Sequence, residues 1–261
     1  MQHPARSDDG APDLMDAVIL AAGTGTRLRP LTDDRPKCMV SVLGKPMLEH
    51  ALGQLEAAGI ETTSLVTGYL SEVIEKTYGD RFGKMALRYL PNPEYATTNN
   101  IVSLLLAKDA IVTDTLLLEA DLVYDDGMLA ELASHPARNV ALVDRFAPPM
   151  DGTVIVSADG TNADRMVLKV DQGPDFVREG TWKTVNLYKL SGEDLRELVL
   201  PRIDAWVKSG RTQTYYEAVF AELVAEGRWP MAILPTGRFR WAEVDDVQDL
   251  AHAEKLFGFA G

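Results

Sequence analysis

The residues best suited to chemistry lie in Leu20-Ala21-Ala22-Gly23-Thr24-Gly25-Thr26-Arg27-Leu28-Arg29-Pro30-Leu31-Thr32, followed closely by Pro36-Lys37. Small side chains there let backbone N–H groups turn inward around a phosphate chain. Arg27 and Lys37 add fixed positive charge at the same place. This is chemistry suited to a nucleoside triphosphate. Two commoner glycine loops do not fit. A dinucleotide fingerprint requires a third small residue where Leu28 stands, and a Walker loop ends in Gly-Lys-Ser/Thr, which does not follow Gly23. A bare Gly-x-Gly is a tight turn and little more. The full string through Pro36-Lys37 is far more specific.

Carboxylates form the second candidate group. Glu119-Ala120-Asp121 ends the apolar run Leu116-Leu117-Leu118, and Trp241-Ala242-Glu243-Val244-Asp245-Asp246 precedes a helical pattern from Val247. A triphosphate is commonly bridged to protein carboxylates by a divalent metal, and all-oxygen ligands favour magnesium. Residues two apart on a strand share a face, which pairs Glu119 with Asp121 and Glu243 with Asp245. Asp246 is suited to cap the helix that follows, as is Asp245, and a solvated loop position is the other reading of Asp121. The scattered histidines form no zinc pattern. Cys38, the single cysteine, excludes an internal disulfide and reads as a small packed filler.

These groups need a scaffold. The chain has 261 residues, 46% hydrophobic, enough for one large α/β domain with a sizeable core. Its net charge of −13 argues against a nucleic-acid partner. The cluster Arg27, Arg29, Arg35, Lys37 and Lys45 is expected to attract an anion locally against that background. No apolar run has the length of a membrane span. Residues 1–15 are polar at their start, lack the apolar core of a secretory signal and are expected to form a flexible tail. Together with the cysteine count, this points to the cytoplasm.

Strand-like and helix-like segments alternate in the first half. Ala17–Leu20, Thr63–Thr67, Met85–Leu90 and Leu116–Leu118 read as strands. Helices are expected over Met47–Ala58, over Ser71–Lys76 with Ser71 as its cap, and from Asn99 or Asn100. Near-continuous apolar strands imply a mostly parallel, Rossmann-like sheet with helices on both faces, and ligands bind beyond the carboxyl ends of such strands. After Asp144 shorter, partly antiparallel strands are expected at Gly152–Val156, Met166–Val170 and Thr184–Leu190. Helices follow at Gly192–Lys208, kinked at Pro201, and Tyr215–Glu226. Residues 16–261 thus read as one domain, a nucleotide half over 16–145 and an acceptor and C-terminal part over 146–261.

The glycine string, Asp121 and Asp245 together resemble the signature of the sugar-nucleotidyltransferase superfamily, whose members join a nucleoside triphosphate to a phosphorylated acceptor and release pyrophosphate. Asn92-Pro93-Glu94-Tyr95, Asn99-Asn100-Ile101-Val102-Ser103-Leu104, Trp182-Lys183-Thr184-Val185-Asn186-Leu187-Tyr188 and, more weakly, Tyr215-Tyr216-Glu217 resemble the branch acting on phosphocholine and phosphonates. The resemblance implies a cytidylyltransferase that uses CTP and Mg2+, in phosphonate natural-product or lipid biosynthesis. It implies Asp121 and Asp245 as metal-holding aspartates, with Glu243 as helper. Leu20, Ala22, Gly23, Gly25, Thr26, Arg27, Asn92, Asn100 and Ser103 match nucleotide-binding positions. Lys169, Lys183 and Asn186 match the acceptor side. We assign Lys37 to the α-phosphate and incoming acceptor, and Arg27 to the β- and γ-phosphates.

Choline would require an aromatic cage, for which Trp182, Tyr188, Tyr215, Tyr216 and Trp241 are candidates. A small phosphonate would instead take lysine and arginine. Strict alternation directs Lys183 and Asn186 to opposite faces of their strand, so both reach one pocket only if Lys183 precedes the regular strand. A hexose-1-phosphate nucleotidyltransferase using UTP or dTTP and a non-catalytic nucleotide-binding regulatory module are the competing readings. A homodimer is left open.

Overall fold

The computed structural model describes residues 15–258. The expected tail therefore lies outside the described residues, apart from Met15, which opens the first strand. The strands are β1 (Met15–Ala21), β2 (Thr62–Thr67), β3 (Met85–Pro91), β4 (Asp114–Glu119), β5 (Leu122–Tyr124), β6 (Val140–Arg145), β7 (Val154–Val156), β8 (Arg165–Val167), β9 (Trp182–Leu190), β10 (Ala232–Pro235) and β11 (Trp241–Glu243). The helices are α1 (Met47–Ala57), α2 (Ser71–Tyr78), α3 (Asn100–Leu106), α4 (Met128–Ser134), α5 (Leu200–Lys208), α6 (Glu217–Ala225) and α7 (Val247–Gly258).

The parallel core runs β4-β1-β2-β3. On the far edge of β4, β9 pairs antiparallel, and β7 and β6 pair antiparallel with β9. β10 joins β6 in parallel. The second half is thus mixed, as the shorter strands implied. Both faces are covered: Val18 and Leu20 of β1 enter one core with Leu117, Tyr188 and Phe220, while Ala17, Ile19 and Ala21 enter the other with Leu52, Leu116, Leu118 and Leu187. Burial on both sides is why β1 and β4 read as unbroken apolar runs.

Several boundaries differ from the sequence reading. Leu70, in a left-handed conformation, precedes α2, and Ser71 is its first residue rather than a side-chain cap. Lys169–Asp171 forms a short turn, so the strand there stops at Val167. The strand expected from Gly152 begins only at Val154. Pro201 does split its helix: a wide turn at Leu195–Val199 precedes α5, and Pro201 sits in the first turn of α5, where its missing N–H costs least.

A third, smaller cluster positions the site. Leu28 and Val40 from the glycine-loop region pack against Met47 of α1, Val123 of β5, Ala242 and Val244 around β11 and Ala253 of α7. Leu28 is fully buried, which explains an apolar side chain where a dinucleotide loop would carry glycine.

Candidate active site

The turn after β1 depends on Gly25. Its φ of +63° is left-handed, and a Cβ there would come within 2.9 Å of the Cβ of Lys37. The Thr32 hydroxyl donates to the Gly25 carbonyl at 2.8 Å, closing the loop against the segment that carries Lys37. Leu20, Ala22 and Gly23 line one side of a cleft of about 230 Å3, with Asn92, Asn100, Ser103 and Glu119 on the other. Thr26 and Arg27 form the short helical turn beyond Gly25.

Asp121 lies two residues past the end of β4, after a turn at Ala120, and Glu243 ends β11. The antiparallel pairing of β5 with β11 aligns Leu122 with Glu243, and the Val244 N–H donates to the Asp121 carbonyl at 2.9 Å. This ladder brings together carboxylates that are far apart in sequence. One oxygen from each of Asp121, Glu243 and Asp245 lies within 4.8 Å of the others. The Lys37 ammonium spans two of them, 2.5 Å from Asp121 Oδ2 and 2.6 Å from Asp245 Oδ1. Arg27 reaches Asp245 Oδ1 at 2.9 Å. Glu119 is not in this group and lines the cleft, while Glu243 and Asp245 stay together. Asp246 caps α7, accepting from the N–H groups of Gln248 and Asp249. Asp245 is free of that task.

The electrostatics follow from burial and neighbours. Burial alone would pull the Lys37 ammonium down, but Asp121 and Asp245 outweigh it and hold it above its usual value. Burial raises the Asp245 carboxyl, but Lys37 and Arg27 prevail and keep it below the ordinary range. Burial, aided by Asp121 and Asp245 against Lys183, pushes Glu243 up to about 7. Burial likewise raises the Cys38 thiol to about 12, so this cysteine is a packed filler with no thiolate to offer.

Other expected residues divide. Lys183 is 2% exposed, lies 3.6 Å from Glu243 Oε2 and donates to the Thr184 carbonyl. It reaches the carboxylate group from within β9. Asn186 accepts from the Thr184 hydroxyl through its Oδ1 and has a left-handed φ of +62°, where β9 slips register against β6 between Thr184 and Tyr188, so strict alternation is interrupted between Lys183 and Asn186. Lys169 is exposed and pairs with Asp151 instead of the carboxylates. The Asn92 carboxamide accepts from Glu94 N–H and donates to Ser103 Oγ. That of Asn100 accepts from Tyr216 N–H and donates to Glu119 Oε1. Each keeps one N–H for a ligand, and neither offers a free carbonyl.

The cage candidates do not converge: of the five, Tyr215 alone lines the cleft. Tyr188 and Tyr216 are fully buried and pack on Phe220. Arg145 covers the Trp182 ring, and Trp241 donates its Nε1 to Asp144. The expected basic cluster is largely neutralised: Arg27 and Lys37 face the site aspartates, Arg29 faces Asp33 and Arg35 faces Asp34.

This arrangement has counterparts. The nucleotidyl transferase family matches residues 16–150. Over 244 residues the chain is 32% identical to the 2-aminoethylphosphonate cytidylyltransferase of Lancefieldella rimae, covering 90% of each. The chain belongs to the nucleotidyl transferase family. It is also 35% identical to the CMP-5'-(3-aminopropyl)phosphonate synthase of Streptomyces rubellomurinus, covering 92% of this chain but only 38% of that longer protein. Among solved structures, the CTP:phosphocholine cytidylyltransferase LicC of Streptococcus pneumoniae superposes with a TM-score of 0.75 at 24% identity, covering 93% of this chain and 98% of that one. The fold is therefore that of a nucleotidyltransferase. No helix among the described residues is long and apolar enough to cross a membrane.

Proposed function

We propose that this nucleotidyltransferase is a cytidylyltransferase that moves CMP from CTP to a small phosphonate and releases pyrophosphate. The observation that carries the reading is the meeting of Lys37, Asp121 and Asp245 at the end of β4, beside the cleft behind Gly23. The similarity along almost the whole chain to phosphonate cytidylyltransferases supports CTP and a phosphonate. The dispersal of the cage candidates favours an anionic acceptor over a quaternary ammonium.

Magnesium fits the donor set. Asp121 Oδ1 is buried without a hydrogen-bond partner, and the three neighbouring groups are all carboxylates. Asp121 and Asp245, with Glu243, would hold the ion. Bound there, it would neutralise charge on the triphosphate.

The chain's own residues do the rest. An anionic phosphonate oxygen attacks the α-phosphorus of CTP, forming a P–O bond as the bond to pyrophosphate breaks. The attacking oxygen carries no proton, so no general base is needed. Backbone N–H groups of the Gly23–Gly25 turn cradle the phosphates. Lys37 leaves its aspartates for the α-phosphate and incoming acceptor, and Arg27 turns to the β- and γ-phosphates. Lys183, already buried beside Glu243, binds the acceptor's anionic group. Alignment and charge account for the catalysis.

The test is pyrophosphate release with each nucleoside triphosphate, Mg2+ and a panel of phosphonates, phosphocholine and hexose 1-phosphates. Release with CTP and a phosphonate is expected. Release only with UTP or dTTP and a hexose 1-phosphate would replace this reading with a sugar-nucleotide one. Tight CTP binding with no release would make the chain a regulatory module.

A further inference from the structure

Among the described residues Glu119 is a carboxyl without a cationic partner. It ends β4, lines the cleft and accepts from Asn100 Nδ2 at 3.0 Å, with the buried Tyr216 side chain beside it. Asn100 is itself pinned by the Tyr216 N–H, which fixes the Glu119–Asn100 pair in place. The cleft therefore presents the Asn92 and Asn100 carboxamides and the Glu119 carboxyl, with no cationic side chain among the residues that line it.

What such a surface binds is a neutral group rich in hydroxyls. Glu119 lies two residues before Asp121, so their Cα atoms are at most about 7 Å apart. On the nucleotide reading above, on which this inference rests, the phosphates occupy the Asp121 end. The unit bonded directly to the α-phosphate is the ribose, and the base lies beyond it, toward Asn92 and Ser103. We propose that Glu119, held by Asn100, hydrogen-bonds the ribose hydroxyls and selects ribonucleotides over deoxyribonucleotides. A vicinal diol offers two donors to one carboxyl group, and removing the 2'-hydroxyl strands a partly buried acceptor.

The test compares CTP with 2'-deoxy-CTP in the wild type and in Glu119→Ala and Glu119→Gln. Both kcat/KM and binding of each nucleotide, by calorimetry without acceptor, are measured. The wild type is expected to prefer CTP by about tenfold or more, the worth of one such hydrogen bond. In Glu119→Ala the ratio should collapse toward unity, chiefly through loss on CTP. Glu119→Gln, which keeps one acceptor oxygen, should retain part of it, and matched melting curves exclude misfolding as the cause. An unchanged ratio in Glu119→Ala overturns the proposal, as does a wild type indifferent to the 2'-hydroxyl. A change confined to KM for an amine-bearing phosphonate overturns it too, because Glu119 would then serve the acceptor. The binding arm separates this from failure of the reaction itself: CTP-selective binding that depends on Glu119 would stand even if no pyrophosphate were released.

Discussion

At the scale of single residues, the site is a set of carboxylates held in check by one lysine. Asp121 and Asp245 each give an oxygen to Lys37, so either can be neutralised without leaving Lys37 unpaired in a buried position. Asp121→Asn and Asp245→Asn are therefore expected to keep the fold. Turnover should fall by about 10²–10³, by analogy with the loss of a transition-state donor. Steady-state rates beside circular-dichroism melts check this, and near-normal rates in both variants would contradict the assignment. Glu119 was legible in the sequence as an acid two residues from Asp121, and pairing them was the natural reading. The structure gives them different neighbours because the chain turns at Ala120, so that Asp121 meets β11 while Glu119 faces the cleft.

At the scale of elements, local signals were read well and long-range ones less so. The strands of the parallel core, the glycine turn and the break at Pro201 follow from periodicity and backbone chemistry, which a sequence states directly. The fate of Lys169 does not, since it is set by Asp151 across a turn. Nor is the commitment of the Asn92 and Asn100 carboxamides to the fold visible before their partners are known. The glycine turn yields a prediction of its own. In Gly25→Ala the left-handed φ should cost about 1–2 kcal/mol of stability. The new methyl also presses on the Lys37 stem, so kcat/KM should fall by about tenfold or more through misalignment. Urea denaturation and steady-state kinetics measure the two effects. The β5–β11 ladder is clipped by Asp125, which accepts from the Arg240 N–H at 2.7 Å and from its guanidinium at 2.8 Å. The Arg240 side chain, with its N–H, holds the Asp125 carboxyl below its ordinary value. A depressed carboxyl stabilises the fold above the unfolded value, about 3.9 for Asp, and loses that contribution as pH falls through the folded value. Asp125→Asn should thus be less stable than wild type near neutrality, and the gap should narrow on acidification. Urea midpoints across that range test it, and a gap that widened would be the wrong sign.

At the scale of the whole molecule, two segments from opposite ends of the described chain complete one site. The Gly25–Lys37 loop packs through Leu28 on the same small core as β11 and α7. Because Lys37 already pairs with Asp121 and Asp245, the architecture carries its own counter-charge. Exhaustive treatment with EDTA should leave the melting temperature unchanged while silencing turnover, and added magnesium should restore it at once without refolding. A marked loss of thermal stability under chelation would mean that the ion is a structural staple. If the melting temperature holds, a cell short of magnesium would keep this protein as an intact, idle reserve, spared the quality-control machinery that removes unfolded chains.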